Sequence, residues 1–240
     1  MLTKHGLKSI RDFVIRMPVV EKVDNRVTVL GSDYGKKAIE LPEFQLHIIS
    51  AGVGLDFSWE QEMLRINGSK ICLIDPTSRS KEIVTSYLDS KEYLEVSKLF
   101  SGNIVFLNMA LFNRNGTITI YPPRNPLHND YSIMNLQKVS KDSAIVCPSI
   151  TINQVNKLMG WNSIDILKLD IEGSALEVLN DAFYNLIFPV QIAIEIDELF
   201  FPSLVNLFRA RKVFKLLKHH NYVCVYKNYF DFTFKRSTAS

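Results

Sequence analysis

Lys168, Asp170 and Glu172 alternate with apolar residues in Ile164-Asp165-Ile166-Leu167-Lys168-Leu169-Asp170-Ile171-Glu172-Gly173. In an extended chain successive side chains face opposite ways, so the three charged groups project together while Leu167, Leu169 and Ile171 fill the other side. A carboxylate presented this way can take a proton, hold a cation or orient a hydroxyl. The structural alternative is a salt bridge between Lys168 and Asp170 at a sheet end. Buried charges are costly unless paired or used, and three on one central strand favour use. Gly173 breaks the strand and Ala175 to Leu179 continue as helix, which puts the acids where open α/β sheets bind their ligands.

A second group of residues fits the same picture. Ser50-Ala51-Gly52-Val53-Gly54-Leu55-Asp56 reads as a strand-to-helix turn whose two glycines let a ligand approach the backbone, although such turns also arise for packing alone. Asp75 ends the next strand, 21 residues beyond Gly54, where an acid can take both hydroxyls of an adenosine ribose. Dinucleotide enzymes share this logic but place a third glycine where this chain has Phe57. That bulk disfavours NAD and favours S-adenosylmethionine.

These residues need a sheet to hold them. From residue 46 onward, strand-like and helix-like segments alternate, as in a parallel sheet covered by helices. Strands are predicted at Leu46 to Ser50, Lys70 to Ile74, Ile104 to Asn108, Ile164 to Asp170 and Gln191 to Ile196. Helices are predicted from Phe57 to Ile66 and from Ser80 onward. Gly116 to Tyr121 alternates as a further strand, and a polar loop follows from Pro122 to about Ser143; loops of that length are more often functional than idle. Ser149 to Val155 leads into a short helix ending near Gly160. The chain closes with a helix from Ser203 to about His220 and a hairpin of Tyr222 to Tyr226 with Asp231 to Lys235. Residues 1–45 read as a helical and irregular extension ahead of a domain at 46–240, placed so that it could cover the site.

A chain of 240 residues with a formal charge of +3 suits one α/β domain that folds throughout. Its basic residues are scattered except in Arg209-Ala210-Arg211-Lys212 and from Lys215 to His220. That cluster reads first as a solvated helix face, with nucleic acid or an acidic lipid surface as the alternative; with no recognition motif beside it no nucleic-acid partner is expected. No apolar run is long enough for a signal peptide or a membrane span, so a soluble cytoplasmic protein is expected. Cys72, Cys147 and Cys224 lack zinc-site spacing and read as reduced thiols, and Trp59 and Trp161 as core.

Taken together, Ser50 to Ser58, Asp75-Pro76-Thr77, Ala110-Leu111 followed by Asn115-Gly116-Thr117, and Ile166 to Gly173 resemble the successive motifs of the FkbM family of S-adenosylmethionine-dependent methyltransferases. The likeness also takes in Tyr34-Gly35, Glu195 and Asp231 to Arg236, and its specific part is Lys-x-Asp-x-Glu-Gly. The resemblance implies a Rossmann-like class I methyltransferase: an α/β fold with a seven-stranded, mostly parallel sheet and a C-terminal antiparallel hairpin. It further implies methylation of oxygen, often in a sugar or polysaccharide. On this likeness Gly52 and Gly54 border the methionine portion of the cofactor, Asp75 its ribose, and Met109 or Ala110 its adenine, with Ser50, Asp56 and Pro76 also among the cofactor-binding residues. Asp170 falls near the transferred methyl. One position departs: the acid that many class I methyltransferases carry ahead of the turn is Ile48 here, and Ser50 replaces the first glycine. Asp56 or Asp170 would then supply the charge.

Methyl transfer to a hydroxyl needs alignment and a base. Asp170, Glu172 and Glu195 are candidate bases, and His128, in the loop from Arg124 to Ser132, is another. An ordinary carboxylate is a weak base for an alcohol, so either burial raises its pKa or a divalent metal acidifies the hydroxyl. Asp170, Glu195 and Asp197 could hold Mg²⁺. The same loop offers hydrogen-bonding groups and the ring of Tyr131 to a small-molecule or glycan acceptor. Two other readings use the same residues: an NAD-dependent oxidoreductase acting on a nucleotide sugar, and a non-catalytic cofactor-binding scaffold, the latter suggested by Ile48 and Ser50.

Overall fold

The computed structural model describes residues 17–21, 27–100, 102–201 and 203–237. Strands β1 (Val27–Leu30) and β2 (Lys37–Glu40) form an antiparallel hairpin. There follow β3 (His47–Ala51), α1 (Ser58–Asn67), β4 (Lys70–Ile74), α2 (Ser78–Leu88), an added α3 (Lys91–Phe100) and β5 (Asn103–Leu107). A separate three-stranded sheet consists of β6 (Ala110–Leu111), β7 (Gly116–Ile120) and β8 (Ile145–Ile150). The chain then runs through α4 (Ile152–Met159), β9 (Ile166–Leu169), α5 (Ala175–Tyr184), β10 (Gln191–Glu195), α6 (Leu204–His219), β11 (Tyr222–Asn228) and β12 (Asp231–Arg236).

The principal sheet has seven strands in the order β5-β4-β3-β9-β10-β12-β11. Its first five strands pair in parallel, and β12 runs antiparallel to β10 and β11. This is the seven-stranded, mostly parallel sheet with a closing hairpin that the sequence implies. The parallel strands are covered on both faces, which is why they read as continuous apolar runs. Ile48, Ile71, Leu73 and Ile166 pack with Trp59, Met63 and Leu64 of α1. The alternate residues Ile49, Cys72, Leu167 and Leu169 pack on the opposite face with Val178 and Leu179 of α5 and Val213 and Leu217 of α6. The three cysteines are free and buried, and both tryptophans are core.

The N-terminal segment departs from the expectation of a helical or irregular extension. Residues 27–40 hold the hairpin, and Ile39 is fully buried. Glu40 and Gln191 exchange two hydrogen bonds, of 2.9 and 2.8 Å, and the Thr233 hydroxyl donates to the Ala38 carbonyl, tying β2 to β10 and β12. Strands of four residues carry too little alternation to stand out in the sequence. The rest of that expectation, residues 1–16 and 22–26, lies outside the described residues. Among the described residues, no helix is long and apolar enough to cross a membrane.

Strands β3 and β9 are neighbours, yet the chain leaves β3 towards β4 and leaves β9 towards β10. This reversal opens a crevice at their carboxyl ends. Gly52 allows the two ends to meet: its φ is +82°, and a Cβ there would stand 1.7 Å from the Asp170 carbonyl oxygen. Gly54, at φ +60°, has open space where its Cβ would be. Gly52→Ala is therefore expected to destabilise the protein by about 3 kcal/mol or more. Gly54→Ala is expected to cost about 1 kcal/mol, the left-handed backbone penalty alone. Equal losses in denaturant unfolding would contradict this division.

Candidate active site

The turn after β3 wraps around Asp75. Its Oδ2 accepts from the amides of Val53 (3.0 Å) and Gly54 (3.1 Å), and its Oδ1 from the amide (2.8 Å) and hydroxyl (2.6 Å) of Thr77. The sequence assigns this carboxylate to ribose hydroxyls; in the structure it lines the cavity, and its hydrogen bonds to the chain also fix the turn. Ser80 Oγ donates to the Gly54 carbonyl at 2.7 Å. From the long loop, Asn129 Nδ2 reaches Thr77 Oγ1 at 2.9 Å and Ser80 Oγ at 3.0 Å. Both glycines line the cavity: Gly52 admits the close approach of the Asp170 backbone, and Gly54 leaves open space where a side chain would stand.

A cavity lies between this turn, the end of β9 and the loop. Gly54, Asp56, Asp75 and Pro76 form one wall with Tyr34 and Gly35, while Ala110, Leu111, Ile118 and Ile120 form an apolar one. Asn129, Asp130 and Tyr131 line the loop side, and Lys168 from β9 and Asp170, Ile171 and Glu172 from the turn beyond it line the remaining side; the expected alternation stops where the strand ends at Leu169, and Glu172 reaches the cavity from a left-handed turn at φ +41°. Four sequence assignments fall elsewhere, among them Glu195, which lies against Lys37. Met109 packs against the core, and Leu111 shares the apolar wall with Ala110 in its place. Ser50 is buried beneath the turn, where its hydroxyl donates to Glu60. His128 is 55% exposed, with Nδ1 3.2 Å from Asp130 Oδ2, because its neighbour Asn129 is the residue that turns inward. His128 thus lies outside the lining of the cavity.

Five carboxylates, of Asp170, Glu172, Glu195, Asp197 and Asp231, gather at the ends of β9, β10 and β12. Lys37 of β2 sits among them, 6% exposed. Its Nζ lies 3.3 Å from Asp170 Oδ2 and 3.5 Å from Glu195 Oε2, and it donates to Asp231. Burial opposes its charge, but Asp170, Asp231 and Glu195 push its pKa above the usual lysine range. Burial likewise opposes the charge of Asp170, yet Lys37 and Lys168 hold its carboxyl below the ordinary value. The remaining acids shift the other way. Burial, then Asp170 and Asp130, push Glu172 up to about 9. Burial and Asp170 push Glu195 up to about 8 against the pull of Lys37. Asp197 is raised by burial and by Glu172. At neutral pH the site thus sets an ionised Asp170 beside a protonated Glu172.

The alternative salt bridge between Lys168 and Asp170 does not form. Lys168 Nζ lies 2.9 Å from Glu60 Oε1 and 3.2 Å from the Gly52 carbonyl, beneath the turn. Sequence reasoning misses Lys37 and Glu60. Glu60 had a signal, being a charged residue on the apolar stripe Trp59, Met63 and Leu64; Lys37 had none.

Asp170, Glu195 and Asp197 bring one oxygen each within 4.8 Å of one another, a donor set of the kind Mg²⁺ uses. The Lys37 ammonium already lies against two of the three, and Asp197 Oδ2 accepts from the Gly173 amide at 3.0 Å. A divalent ion does not fit here without displacing that ammonium.

The sequence model of the family described as the methyltransferase FkbM domain matches residues 59–224. The match starts after the glycine turn and takes in neither Lys37 nor Asp231. No curated protein matches the chain. Among solved structures, precorrin-6y C5,15-methyltransferase from Geobacter metallireducens GS-15 is similar, with a TM-score of 0.42 and 11% identity over 98% of this chain and 90% of that one.

Glu172 and Glu195 hold their protons more tightly folded than at their ordinary value of 4.5. The stability they contribute is complete below that value and is lost as pH rises through about 8 to 9. The melting temperature is therefore expected to fall from about pH 6 to 9, and Glu172→Gln to flatten that slope. A midpoint that rises over the same range would contradict the assignment. Lys37→Met leaves Asp170 without its nearest cation and is expected to cost about 3 kcal/mol in denaturant unfolding. A loss within about 0.5 kcal/mol would show that the cluster does not need it.

Proposed function

The chain belongs to the methyltransferase FkbM domain family, and from that premise we propose that it moves a methyl group from S-adenosylmethionine to a hydroxyl of a sugar or polysaccharide. The observation that carries this reading is the cavity at the sheet's switch point, where Asp170 and Glu172 face the turn around Gly54. When bound, S-adenosylmethionine supplies a methyl group on a positively charged sulfur. The residues suit it. Gly54, with open space where a side chain would stand, lets the cofactor approach the turn, Asp56 and Asp170 offer negative charge for the cationic centres, and Ala110, Leu111, Ile118 and Ile120 an apolar wall for the adenine.

Glu172 is the group assigned to take the acceptor's proton. With its pKa pushed up to about 9, this carboxyl is a far stronger base once ionised than an ordinary one, and better matched to a hydroxyl. Asp170, held ionised, supports the positive charge of the donor and orients the acceptor. Glu195 acts at one remove, by holding Lys37 against Asp170. On the loop side, Asn129, Asp130 and Tyr131 offer polar groups and an aromatic face of the kind that orients a sugar ring. The nicotinamide alternative loses its ground with the family membership.

Isothermal titration of the folded chain with S-adenosylhomocysteine is expected to show saturable binding, which Asp75→Ala weakens by loosening the turn. Absence of binding refutes the cofactor. With sugar acceptors, Asp170→Ala is expected to abolish turnover. The wild-type rate should climb as pH approaches about 9, a limb absent from Glu172→Gln. A wild-type rate that is flat with pH would remove Glu172 from its role. Because Lys37 occupies the acid cluster, EDTA should leave the rate unchanged.

A further inference from the structure

The basic cluster near the C-terminus divides in the structure. Arg209 turns inward, bonding Glu177 at 2.8 and 2.7 Å, Glu198 at 3.2 Å and the Gly173 carbonyl at 2.7 Å. Of the others, Lys212 and Lys215, both exposed, and the half-buried Arg211 belong to a stripe of α6 that begins apolar. Leu204, Phe208, Arg211 and Lys215 recur at helical spacing on one face, with Val205 and Lys212 flanking them. Leu204, Val205 and Phe208 are 73%, 63% and 53% exposed. The packing needs of the helix are already met by its inward residues, Leu207, Ala210, Val213, Phe214 and Leu217. A merely solvated face therefore leaves those three exposed apolar side chains unexplained. Residues 204–219 contain no acid, so the basic half of the stripe has no neutralising partner on its own helix.

We propose that this outward face of α6 docks the protein on an anionic lipid surface. Leu204, Val205 and Phe208 enter the headgroup region, and Arg211, Lys212 and Lys215 lie against lipid phosphates. The pairing of apolar and basic groups on one stripe selects this occupant. A nucleic acid would engage the basic half and leave the apolar half in water. A second copy of the chain would bring like charges together across a self-complementary contact. The apolar end is also the end nearer the cavity. Helix α6 follows the 3-10 turn Asp197–Leu199 at the end of β10, and Glu195 and Asp197 there belong to the acid cluster. Docking would thus bring the ligand-binding end of the sheet to the lipid.

Flotation of the full chain with vesicles of phosphatidylcholine, with and without phosphatidylglycerol, tests this. The protein is expected to float with the anionic vesicles, to remain behind with phosphatidylcholine alone, and to detach as salt rises. K212E/K215E and, separately, L204S/F208S should each reduce the bound fraction about tenfold. Both pairs should keep the native circular dichroism and S-adenosylhomocysteine affinity, since none of the four residues lines the cavity. On the unaltered chain, anionic vesicles should slow acetylation of Lys212 and Lys215, a readout that does not depend on a variant folding. No recovery with anionic vesicles, or recovery that survives both pairs, overturns the proposal. So does loss with the charge pair but not the apolar pair, which assigns the stripe to polyanions such as nucleic acid. A lipid-free dimer in sedimentation velocity that L204S/F208S dissociates overturns it in favour of self-association.

Discussion

Five carboxylates can crowd one end of this sheet because a single ammonium, that of Lys37, is buried among them. An uncompensated buried charge costs several kcal/mol, and one lysine offsets about one of them. The rest must hold protons, which is the direction in which Glu172, Glu195 and Asp197 are displaced. The contrast between an ionised Asp170 and a protonated Glu172 therefore follows from where Lys37 sits. It also gives the N-terminal hairpin its importance. That hairpin adds only two four-residue strands to the fold, but it delivers the charge that sets the protonation of the site.

A second buried pair works on the other side of Asp170. Lys168 is held by Glu60 and by the Gly52 carbonyl, and it adds to the pull of Lys37 on the Asp170 carboxyl. Because Ser50 donates to the same Glu60, the floor beneath the glycine turn is a polar network enclosed by apolar core. Asp75 then fixes the turn from above through the amides of Val53 and Gly54. The walls of the cavity are thus set by buried ions and directed hydrogen bonds, whose geometry is narrower than that of apolar contact.

What is legible in the sequence is whatever leaves a local pattern. The parallel strands are legible because burial on both faces makes them continuous apolar runs, and the Lys168 to Glu172 alternation because it interrupts one of them. The position of Asp75 is legible, but its donors are not, since Val53, Gly54 and Thr77 meet it only once β3 and β4 pair. Lys37 lies 133 residues from Asp170 in a strand too short to show a period, so nothing local marks it out among the other lysines. Met109 and His128 each stand beside a residue that lines the cavity, Ala110 and Asn129, and no local pattern separates the residue that faces in from its neighbour.

The loop between β7 and β8 contains a 3-10 turn at Lys141–Ser143 and otherwise irregular backbone, yet it is tied down at several points. Ser132 exchanges backbone hydrogen bonds of 2.8 and 3.0 Å with Tyr121, Asn129 is bound to Thr77 and Ser80, and Arg79 donates to the Leu127 carbonyl at 3.2 Å. Ser132 Oγ also donates to the Glu172 carbonyl at 2.7 Å. That contact matters because Glu172 has φ +41°, a left-handed conformation that costs a residue with a Cβ about 1 kcal/mol. The conformation persists because the structure holds both sides of it: Ser132 binds the Glu172 carbonyl, and Asp197 accepts from the following amide of Gly173. The loop proposed to meet the acceptor and the residue proposed as base are therefore joined through one hydrogen bond, so on that proposal a change in the loop that alters which acceptor fits also shifts the Glu172 carboxyl.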